Sequence, residues 1–260
     1  MIRLAVAGAT GQMGRCVLEM AAGDERFTIA AALSSAQSSR AASMLTVADR
    51  NMAITQQLDA ECDVLVDFSL PSGTMAWLEV CERRTLPMVI GVTGHQEHQL
   101  RRIHEAARAI PILHAVNFSP GIQAILGLIG PLARSLGRGY DVEIVETHHR
   151  DKIDAPSGTA LVLAEAIAAN SGRASEQEVV FGRQGRVGPR PPGQIGVHSV
   201  RMGDLTSQHD VHFAGSGETI TIRHVVHSRA PFAVGALRAA AWIVSKPPGL
   251  YTLNDMSVHP

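Results

Sequence analysis

Short apolar runs recur through the first half of the chain, and a turn and a stretch of helical spacing follow most of them. The strand-like runs are residues 2–7, 27–33, 63–68, 88–92 and 112–116. The helices predicted between them cover residues 15–22, 72–84 and a segment that begins near Glu97 and ends near Ala109. This alternation is typical of parallel strands that helices cover on both faces. The pattern therefore predicts an α/β domain with a doubly wound parallel sheet that ends near Ser119.

The pattern changes in the rest of the chain. An apolar helix is predicted over residues 122–136, a strand over 140–147 and a second helix from Ser157 to Ala169. Residues 171–194 are rich in Gly, Arg and Pro and are expected to form a long surface loop. Three strand-like runs follow in close succession, at residues 195–202, 210–213 and 218–227. Short turns between strands favour an antiparallel or mixed sheet, so a second, α+β domain is expected before a last apolar helix at 231–245.

Length, composition and charge exclude several classes of protein. A chain of 260 residues with 45% hydrophobic and 18% charged residues can bury one large or two moderate cores. A net charge of −1 gives no reason to expect a nucleic-acid partner. The start of the chain lacks the features of a signal peptide, and no apolar run is long enough to cross a membrane. Cys16, Cys62 and Cys81 have no metal-type spacing. We therefore expect a soluble, cytoplasmic protein with reduced thiols.

Three glycines follow the first strand and precede the first helix. Gly8, Gly11 and Gly14 form the spacing G-x-x-G-x-x-G. Small residues at such a turn let the backbone approach a pyrophosphate, and the helix N-terminus offers N–H groups and a favourable dipole to the anion. The motif alone is only moderately specific, because a glycine turn in an unrelated α/β protein has the same spacing. Its place on the first strand favours dinucleotide binding.

The end of the second strand bears on the choice of cofactor. Dinucleotide folds that prefer NAD usually carry Asp or Glu there, where the carboxylate binds the ribose 2′-hydroxyl. In this chain the strand ends at Leu33 and is followed by Ser34 and Ser35, whose hydroxyls can donate to a 2′-phosphate. Arg40 could add positive charge, or could be an ordinary surface arginine. The sequence predicts that NADPH is accepted at least as well as NADH.

The segment from Glu146 to Thr159 concentrates the candidate chemistry of the second half. Imidazoles such as those of His148 and His149 can transfer protons near neutral pH. The ammonium group of Lys152 could protonate a reacting centre or hold a carboxylate. The Ser157-Gly-Thr turn could bind a substrate carboxylate at a helix N-terminus, although Ser157 could equally be only an N-cap. The histidines could also be solvated, but no metalloenzyme spacing accompanies them, so no metal is expected.

Beyond these separate features, the chain resembles the 4-hydroxy-tetrahydrodipicolinate reductase (dihydrodipicolinate reductase) family over nearly its whole length. The most specific match is the segment that reads E-T-H-H-R-D-K-I-D-A-P-S-G-T-A, residues 146–160. Other segments match in order and include residues 6–15, 66–71, 89–94, 115–119, 195–204 and 227–229. The resemblance implies a reductase that uses NADPH or NADH, or both, to convert 4-hydroxy-tetrahydrodipicolinate to tetrahydrodipicolinate with release of water, in lysine biosynthesis via diaminopimelate.

The resemblance also implies roles for individual residues. His148 matches the family's proton donor and acceptor, and Lys152 matches its proton donor. Substrate binding is expected at His149, Ser157, Gly158 and Thr159. Cofactor contacts are expected at Gly8, Ala9, Thr10, Gly11, Gln12, Met13, Ser34, Gly91, Val92, Thr93, Ala115, Val116, Asn117 and Phe118. The chain departs from the family pattern at Ser34, where an acidic residue is common, at Val92, where Thr is common, and at Pro120, where an aliphatic residue is common.

The same resemblance implies the domain organisation and the assembly. Residues 1–119 and 229–260 are expected to form a Rossmann-like dinucleotide-binding domain. Residues 120–228 are expected to form the substrate-binding and tetramerisation domain of a homotetramer. His227 and Arg229 could assist an anionic substrate or could form a structural ion pair. The alternatives are another two-domain nicotinamide oxidoreductase, acting on an open-chain acid, and a nucleotide sensor without turnover, although a sensor would not require the His148 and Lys152 pair.

Overall fold

The computed structural model describes residues 1–35, 44–172 and 179–257, with no side-chain account of Ser257. Two compact units divide the chain: residues 1–119 together with 229–260, and residues 120–228. Arg40 lies outside the described residues. None of the helices in the described ranges is long and apolar enough to span a membrane.

The first unit is built on an eight-stranded sheet. Its strands are β1 Ile2–Ala7, β2 Phe27–Leu33, β3 Met44–Val47, β4 Arg50–Thr55, β5 Val64–Asp67, β6 Met88–Ile90, β7 Pro111–His114 and β13 Gly249–Tyr251. Their order is β13-β7-β6-β5-β1-β2-β4-β3, and every pair is parallel except β3 with β4. The strands β2, β4 and β3 lie on one side of β1, and β5, β6, β7 and β13 lie on the other side. The order therefore reverses beside β1.

Helices cover both faces of this sheet. The helices are α1 Gln12–Ala22, α2 Pro71–Arg84, α3 Glu97–Ala106, α6 Ala230–Ile243 and α7 Leu253–Ser257. The side chains of α1 and α6 share one buried cluster with Leu4 and Val6 of β1, and those of α2 and α3 share a second with Ala5 and Ala7. Successive strand residues point to opposite faces, so the apolar run of β1 supplies both clusters. This is the doubly wound parallel sheet that the sequence predicts.

The second unit is a five-stranded mixed sheet with helices on one face. Its elements are α4 Pro120–Leu136, β8 Asp141–His148, α5 Gly158–Asn170, β9 Val179–Phe181, β10 Ile195–Arg201, β11 Ser207–Ala214 and β12 Thr219–Val226, with a 3-10 turn at Gly137–Gly139. The order is β12-β11-β8-β10-β9, with β8, β9 and β10 parallel and β11 and β12 antiparallel to their neighbours. The predicted mixed sheet is confirmed.

Several elements differ from the sequence predictions. The edge strands β3 and β13, the strand β4 next to β3, and the short helix α7 were not expected. Strand β9 lies within the segment 171–194, so the prediction of a loop there is wrong at Val179–Phe181. Residues 173–178 of that loop lie outside the described residues. These strands are short or carry many exposed residues, as the burial of β3 and β4 illustrates. Edge strands need not be apolar on both faces, so apolar runs detect them poorly.

Candidate active site

The glycine turn after β1 is tight and leaves no room for side chains. Gly8 has φ of +78°, and a Cβ there would lie 2.4 Å from the carbonyl oxygen of Phe68. A Cβ on Gly14 would lie 2.2 Å from the carbonyl oxygen of Gly8. Gly11 donates its N–H to that same carbonyl at 2.9 Å. The turn thus brings α1 against β1 through backbone contacts that only glycine permits.

The N-terminus of α1 is suited to an anion. Its N-cap, Gly11, supplies no side-chain hydrogen bond, and no acidic residue stands in the first turn. Gly11 and Gln12 are exposed, whereas Thr10 and Met13 are partly buried. Open N–H groups at a helix start, without a competing carboxylate, form a site for a phosphate or pyrophosphate. The residues present therefore fit the phosphate portion of a dinucleotide.

The carboxyl ends of β5, β6 and β7 meet beside this turn, and Asp67 and Phe68 shape them. Asp67 is fully buried and accepts hydrogen bonds from the Ser69 N–H at 2.8 Å and the Thr74 hydroxyl at 2.6 Å. Burial raises the pKa of Asp67, although these two donors oppose the rise. The Phe68 ring contacts Phe118 edge-on, with ring centroids 5.7 Å apart. A Cβ on Gly91 would strike the Phe68 ring, so only glycine at this position lets that ring pack against the end of β6.

The predicted cofactor-contacting residues fall at this carboxyl edge, but they differ in what they can offer. Ala9, Val92 and Phe118 are buried in the apolar cores, so only their backbone could face a ligand. Thr93 and Val116 are exposed, and Ala115 and Asn117 are partly buried. The side-chain oxygen Oδ1 of Asn117 accepts from the Ser119 N–H at 2.7 Å. In open α/β sheets, ligands bind outside the carboxyl ends of the strands where the strand order reverses, which is the place these residues occupy.

Ser34 follows β2 at the same edge. Its N–H donates to the Thr55 carbonyl at 2.9 Å, and its side chain is 2% exposed. The Ser34 hydroxyl oxygen has no hydrogen-bond partner among the residues that the structure describes. Ser35 is exposed. A buried hydroxyl without a partner is uncommon, and at this edge it leaves hydrogen-bonding capacity beside the candidate ribose position.

The second unit carries a polar layer that continues its apolar core. On β8, Val142 and Ile144 face α4 and α5, and the alternation of a strand puts Glu146 and His148 on that same face. The cross-strand register pairs Glu146 with Ser199 of β10 and with His209 of β11. Arg201 of β10 is paired with His148. Glu146, His148, Arg201 and His209 therefore share one face, just beyond the apolar side chains.

Glu146 is the centre of this layer and has no exposed surface. The two guanidinium nitrogens of Arg201 donate to its two carboxylate oxygens, each at 2.8 Å. Its Oε2 lies 2.5 Å from Nδ1 of His148, and its Oε1 accepts from the Ser157 N–H at 3.2 Å. Burial works against ionisation of Glu146, but the hydrogen bonds from His148 and Arg201 outweigh it and hold the pKa well below its usual range. The carboxylate is thus ionised and fully hydrogen-bonded.

His209 lies next to His148 and is buried, with 2% of its surface exposed. The two rings meet edge to face with centroids 5.3 Å apart. Its Nε2 lies 3.1 Å from the Ser157 hydroxyl and its Nδ1 lies 3.3 Å from the Ser207 hydroxyl. Burial, helped by the neighbouring His148, lowers the pKa of His209 to about 3. At neutral pH His209 is therefore uncharged and adds no positive charge beside His148.

The loop between β8 and α5 carries the other candidate residues. The Lys152 ammonium donates to Asp154 at 2.7 Å, and the Lys152 N–H donates to the His149 carbonyl at 3.2 Å. Arg201 also donates to the Asp154 carbonyl, at 2.6 Å, which ties this loop to the polar layer. His149 and Gly158 are partly buried, and Thr159 is buried in the first turn of α5. Ser157 acts as the N-cap of α5, since its hydroxyl accepts from the Ala160 N–H at 3.3 Å.

The structure brings His148 and Ser157 together through Glu146, a residue to which the sequence assigns no role. Arg201 and His209 are likewise functional candidates that sequence reasoning missed. One signal was present: Val142, Ile144, Glu146 and His148 occupy alternate positions of a single strand.

The two remaining candidates, Arg229 and His227, lie near the end of the second unit's chain segment. Arg229 is the N-cap of α6, and His227 follows β12 and is exposed. Within the described ranges, no group of three or more His, Cys, Asp or Glu residues is arranged to hold a metal ion.

The two units define a class of protein: an α/β unit of the dinucleotide-binding type joined to a mixed-sheet unit with a buried carboxylate–imidazole pair. Comparison with known families places the chain within that class. The family "Dihydrodipicolinate reductase, N-terminus" matches residues 2–118, and "Dihydrodipicolinate reductase, C-terminus" matches residues 121–256. The chain belongs to the dihydrodipicolinate reductase family, and the resemblance seen in its sequence motifs is confirmed.

Individual relatives match over nearly their whole length. The chain is 43% identical to 4-hydroxy-tetrahydrodipicolinate reductase of Thiobacillus denitrificans, covering 98% of both chains. It is 42% identical to the enzyme of the same name from Rubrobacter xylanophilus, again covering 98% of both. Among solved structures, dipicolinate-bound dihydrodipicolinate reductase from Paenisporosarcina sp. TG-14 superimposes with a TM-score of 0.70 at 24% identity, covering 97% of each chain. At that identity the superposition supports the fold alone.

Proposed function

We propose that this protein reduces 4-hydroxy-tetrahydrodipicolinate to tetrahydrodipicolinate, with release of water, at the expense of NADPH or NADH. The reaction is that of the full-length relatives, whose printed name is 4-hydroxy-tetrahydrodipicolinate reductase. The product belongs to lysine biosynthesis via diaminopimelate. The observation that carries the proposal is the presence of a glycine turn fitted to a dinucleotide phosphate together with the Glu146–His148 pair of the second unit.

The residues of the second unit fit a proton transfer to a dicarboxylate substrate. In this proposal His148 and Lys152 supply the proton, and the reduced nicotinamide supplies the hydride when it is bound. His148 is 8% exposed, and its Nε2 has no hydrogen-bond partner among the described residues, so that nitrogen is open to a substrate. Lys152 keeps 20% of its side chain exposed beside Asp154. His149, Gly158 and Thr159 would hold the substrate, with the start of α5 facing a carboxylate.

The choice of cofactor and the assembly belong to the same proposal. No carboxylate follows β2, and the buried Ser34 hydroxyl has no partner among the described residues, so nothing there repels a 2′-phosphate. We therefore propose that NADPH is used at least as well as NADH. The family resemblance supports three further parts of this proposal. They are a homotetramer formed through the second unit, a cytoplasmic location, and the binding of cofactor by the first unit and of substrate by the second.

The test is a coupled assay. Dihydrodipicolinate synthase with pyruvate and aspartate semialdehyde generates the substrate, and loss of absorbance at the nicotinamide band is followed with NADPH and NADH in separate reactions. Oxidation that depends on the synthase supports the activity, and the two values of kcat/KM decide the cofactor preference. A folded protein that binds both cofactors but oxidises neither would contradict the substrate assignment and leave a nicotinamide-binding protein. A strong preference for NADH would contradict the inference from Ser34.

A further inference from the structure

We infer that Glu146 is a positioning residue that fixes the tautomer and the orientation of His148, so that Nε2 is the nitrogen that exchanges the proton with the substrate. The inference rests on the proposed role of His148 and extends it to a residue outside the candidate catalytic set. Glu146 on the same strand and His209 on β11 contact the His148 ring directly. Arg201 on β10 and the Ser157 N–H bind Glu146. Lys152 and Asp154 pair with each other on the loop that leads to α5, and Arg201 joins that loop through the Asp154 carbonyl.

The first argument concerns the hydrogen bond itself. An ionised carboxylate can only accept, so the contact of 2.5 Å between Glu146 Oε2 and His148 Nδ1 requires a proton on Nδ1. A neutral imidazole with its proton on Nδ1 has a lone pair on Nε2, and a protonated imidazole has a transferable proton on Nε2. In the reaction the Nε2–H bond would break, the proton would bond to the substrate, and the electron pair would stay on the ring nitrogen. Nδ1 keeps its proton throughout.

The second argument concerns why the carboxylate stays ionised and stationary. Arg201 binds both oxygens of Glu146, and the Ser157 N–H binds one of them from the start of α5. A two-pronged arginine–carboxylate pair has a defined geometry as well as a favourable charge interaction. The side chain of Glu146 therefore cannot rotate away without breaking both hydrogen bonds from Arg201 and the one from the Ser157 N–H. The hydrogen bond between Glu146 Oε2 and Nδ1 then fixes the orientation of the His148 imidazole.

The third argument concerns the neighbouring ring. A second imidazole beside His148 could compete for Glu146 or share the proton. His209 is instead engaged by the Ser157 and Ser207 hydroxyls at its two nitrogens, and burial keeps it uncharged at neutral pH. Only His148 of the two rings contacts the carboxylate in the described structure. Of the two imidazoles, His148 is therefore the one placed to carry the proton.

The test compares Glu146→Gln with a matched control on the same strand. Glutamine keeps the size of the side chain but removes the charge, and its amide can offer His148 either an acceptor or a donor. We expect kcat to fall about 100-fold, as for other residues that orient a catalytic histidine, while KM for the substrate and the dissociation constant of NADPH change less than threefold. Glu143→Gln is the control: Glu143 also pairs with arginines and a histidine, namely Arg183, Arg190 and His198. Its replacement should leave kcat within twofold.

A spectroscopic readout separates positioning from general loss of structure. In protein labelled with ¹⁵N-histidine, correlation spectra distinguish protonated from unprotonated ring nitrogens, and His148→Gln identifies the His148 signals. We expect a protonated Nδ1 in the free wild-type enzyme at every pH at which it is folded and active, and a mixture of tautomers in Glu146→Gln. If Glu146→Gln does not fold, Arg201→Lys serves instead, and it should lower kcat about tenfold at unchanged KM, since the charge remains but the two-pronged contact is lost.

The outcomes distinguish failure of this inference from failure of the proposed function. If His148→Gln is inactive but Glu146→Gln turns over at a normal rate, or if His148 of the wild type carries its proton on Nε2 alone, the inference is overturned. If His148→Gln itself keeps near-normal turnover, the proposed proton donor is wrong and the inference falls with it. Loss of kcat in Glu146→Gln, with KM unchanged, Glu143→Gln active and a changed His148 spectrum, supports it.

Discussion

Burial of His209 as an uncharged ring should make the second unit sensitive to acid at a pH where most carboxylates are still ionised. Burial, helped by His148, lowers its pKa to about 3, while Glu146 opposes the change and His224 and Lys152 favour it. In an unfolded chain a histidine has a pKa near ~6.5. Between these values the unfolded chain binds a proton that the folded chain does not bind. The stability that His209 contributes is therefore present above the unfolded pKa and is lost as the pH falls.

The size of the effect follows from linkage. One proton of difference changes the free energy of unfolding by about 1.4 kcal/mol per pH unit. Integrated from pH 7 to pH 5, the contribution of His209 is a loss of about 2 kcal/mol. Glu146 and Glu143 have lowered pKa values, so their contributions are lost mainly below pH ~4.5. Between pH 7 and pH 5 the change in the free energy of unfolding therefore comes from the buried histidines and not from these carboxylates.

The assay is urea unfolding at pH 7 and at pH 5, for the wild type and for His209→Asn. Far-UV circular dichroism follows both units, while fluorescence of Trp77 and Trp242 reports only the first unit. We expect His209→Asn to be less stable than the wild type at pH 7 but to lose about 2 kcal/mol less between pH 7 and pH 5. His227→Asn, at an exposed position of the same unit, is the control. An equal loss in the wild type and in His209→Asn would refute the reasoning.

Three further predictions concern the reaction and the cofactor turn. His148→Gln should lower kcat roughly 100-fold or more while the affinity for NADPH in a fluorescence titration stays near the wild-type value; near-normal turnover would remove His148 from the mechanism. Gly14→Ala should weaken NADPH binding and destabilise the protein by about 1–3 kcal/mol in urea unfolding, because the new Cβ would strike the Gly8 carbonyl. Gly23→Ala, at the C-cap of the same helix, would place its Cβ at an ordinary contact distance and should be tolerated. Ser34→Asp should shift the ratio of kcat/KM toward NADH roughly tenfold, through repulsion between the new carboxylate and the 2′-phosphate; an unchanged ratio would place the 2′-phosphate elsewhere.

The first unit was largely predictable because its signals are local. The strands Ile2–Ala7 and Phe27–Leu33 are apolar on both faces, and the turn at Gly8 follows directly in the chain. Burial on two faces produces continuous apolar runs that need no knowledge of the partner strands. The edge strand Met44–Val47 and its neighbour Arg50–Thr55 lack that signal, since several of their residues are exposed. They were missed for this reason.

The polar layer of the second unit was not predictable in the same way, because it depends on pairing between distant strands. The alternation from Val142 to His148 fixes which face Glu146 occupies, but not what it meets there. Arg201 stands 55 residues away in sequence, and His209 is reached through the antiparallel register of β11 with β8. Register depends on turns and on the burial of whole strands. A motif such as E-T-H-H therefore reveals the candidate chemistry but not the residues that orient it.

The energetics of Glu146 give a reason to connect this layer with function rather than with stability. Its strand could have continued the apolar pattern of Val142 and Ile144, which would bury surface without loss of hydration. In the Glu146–Arg201 pair the carboxylate is fully buried and the guanidinium largely so, so both groups lose hydration. Such a buried ion pair is often no more stable than an apolar replacement of similar size. Such a pair is therefore weak evidence for a contribution to folding. A functional reason for the position of Glu146 is that its charge acts on a neighbour. Besides Arg201, Ser199 and the start of α5, Glu146 contacts the imidazole of His148, the one titratable proton carrier among these partners.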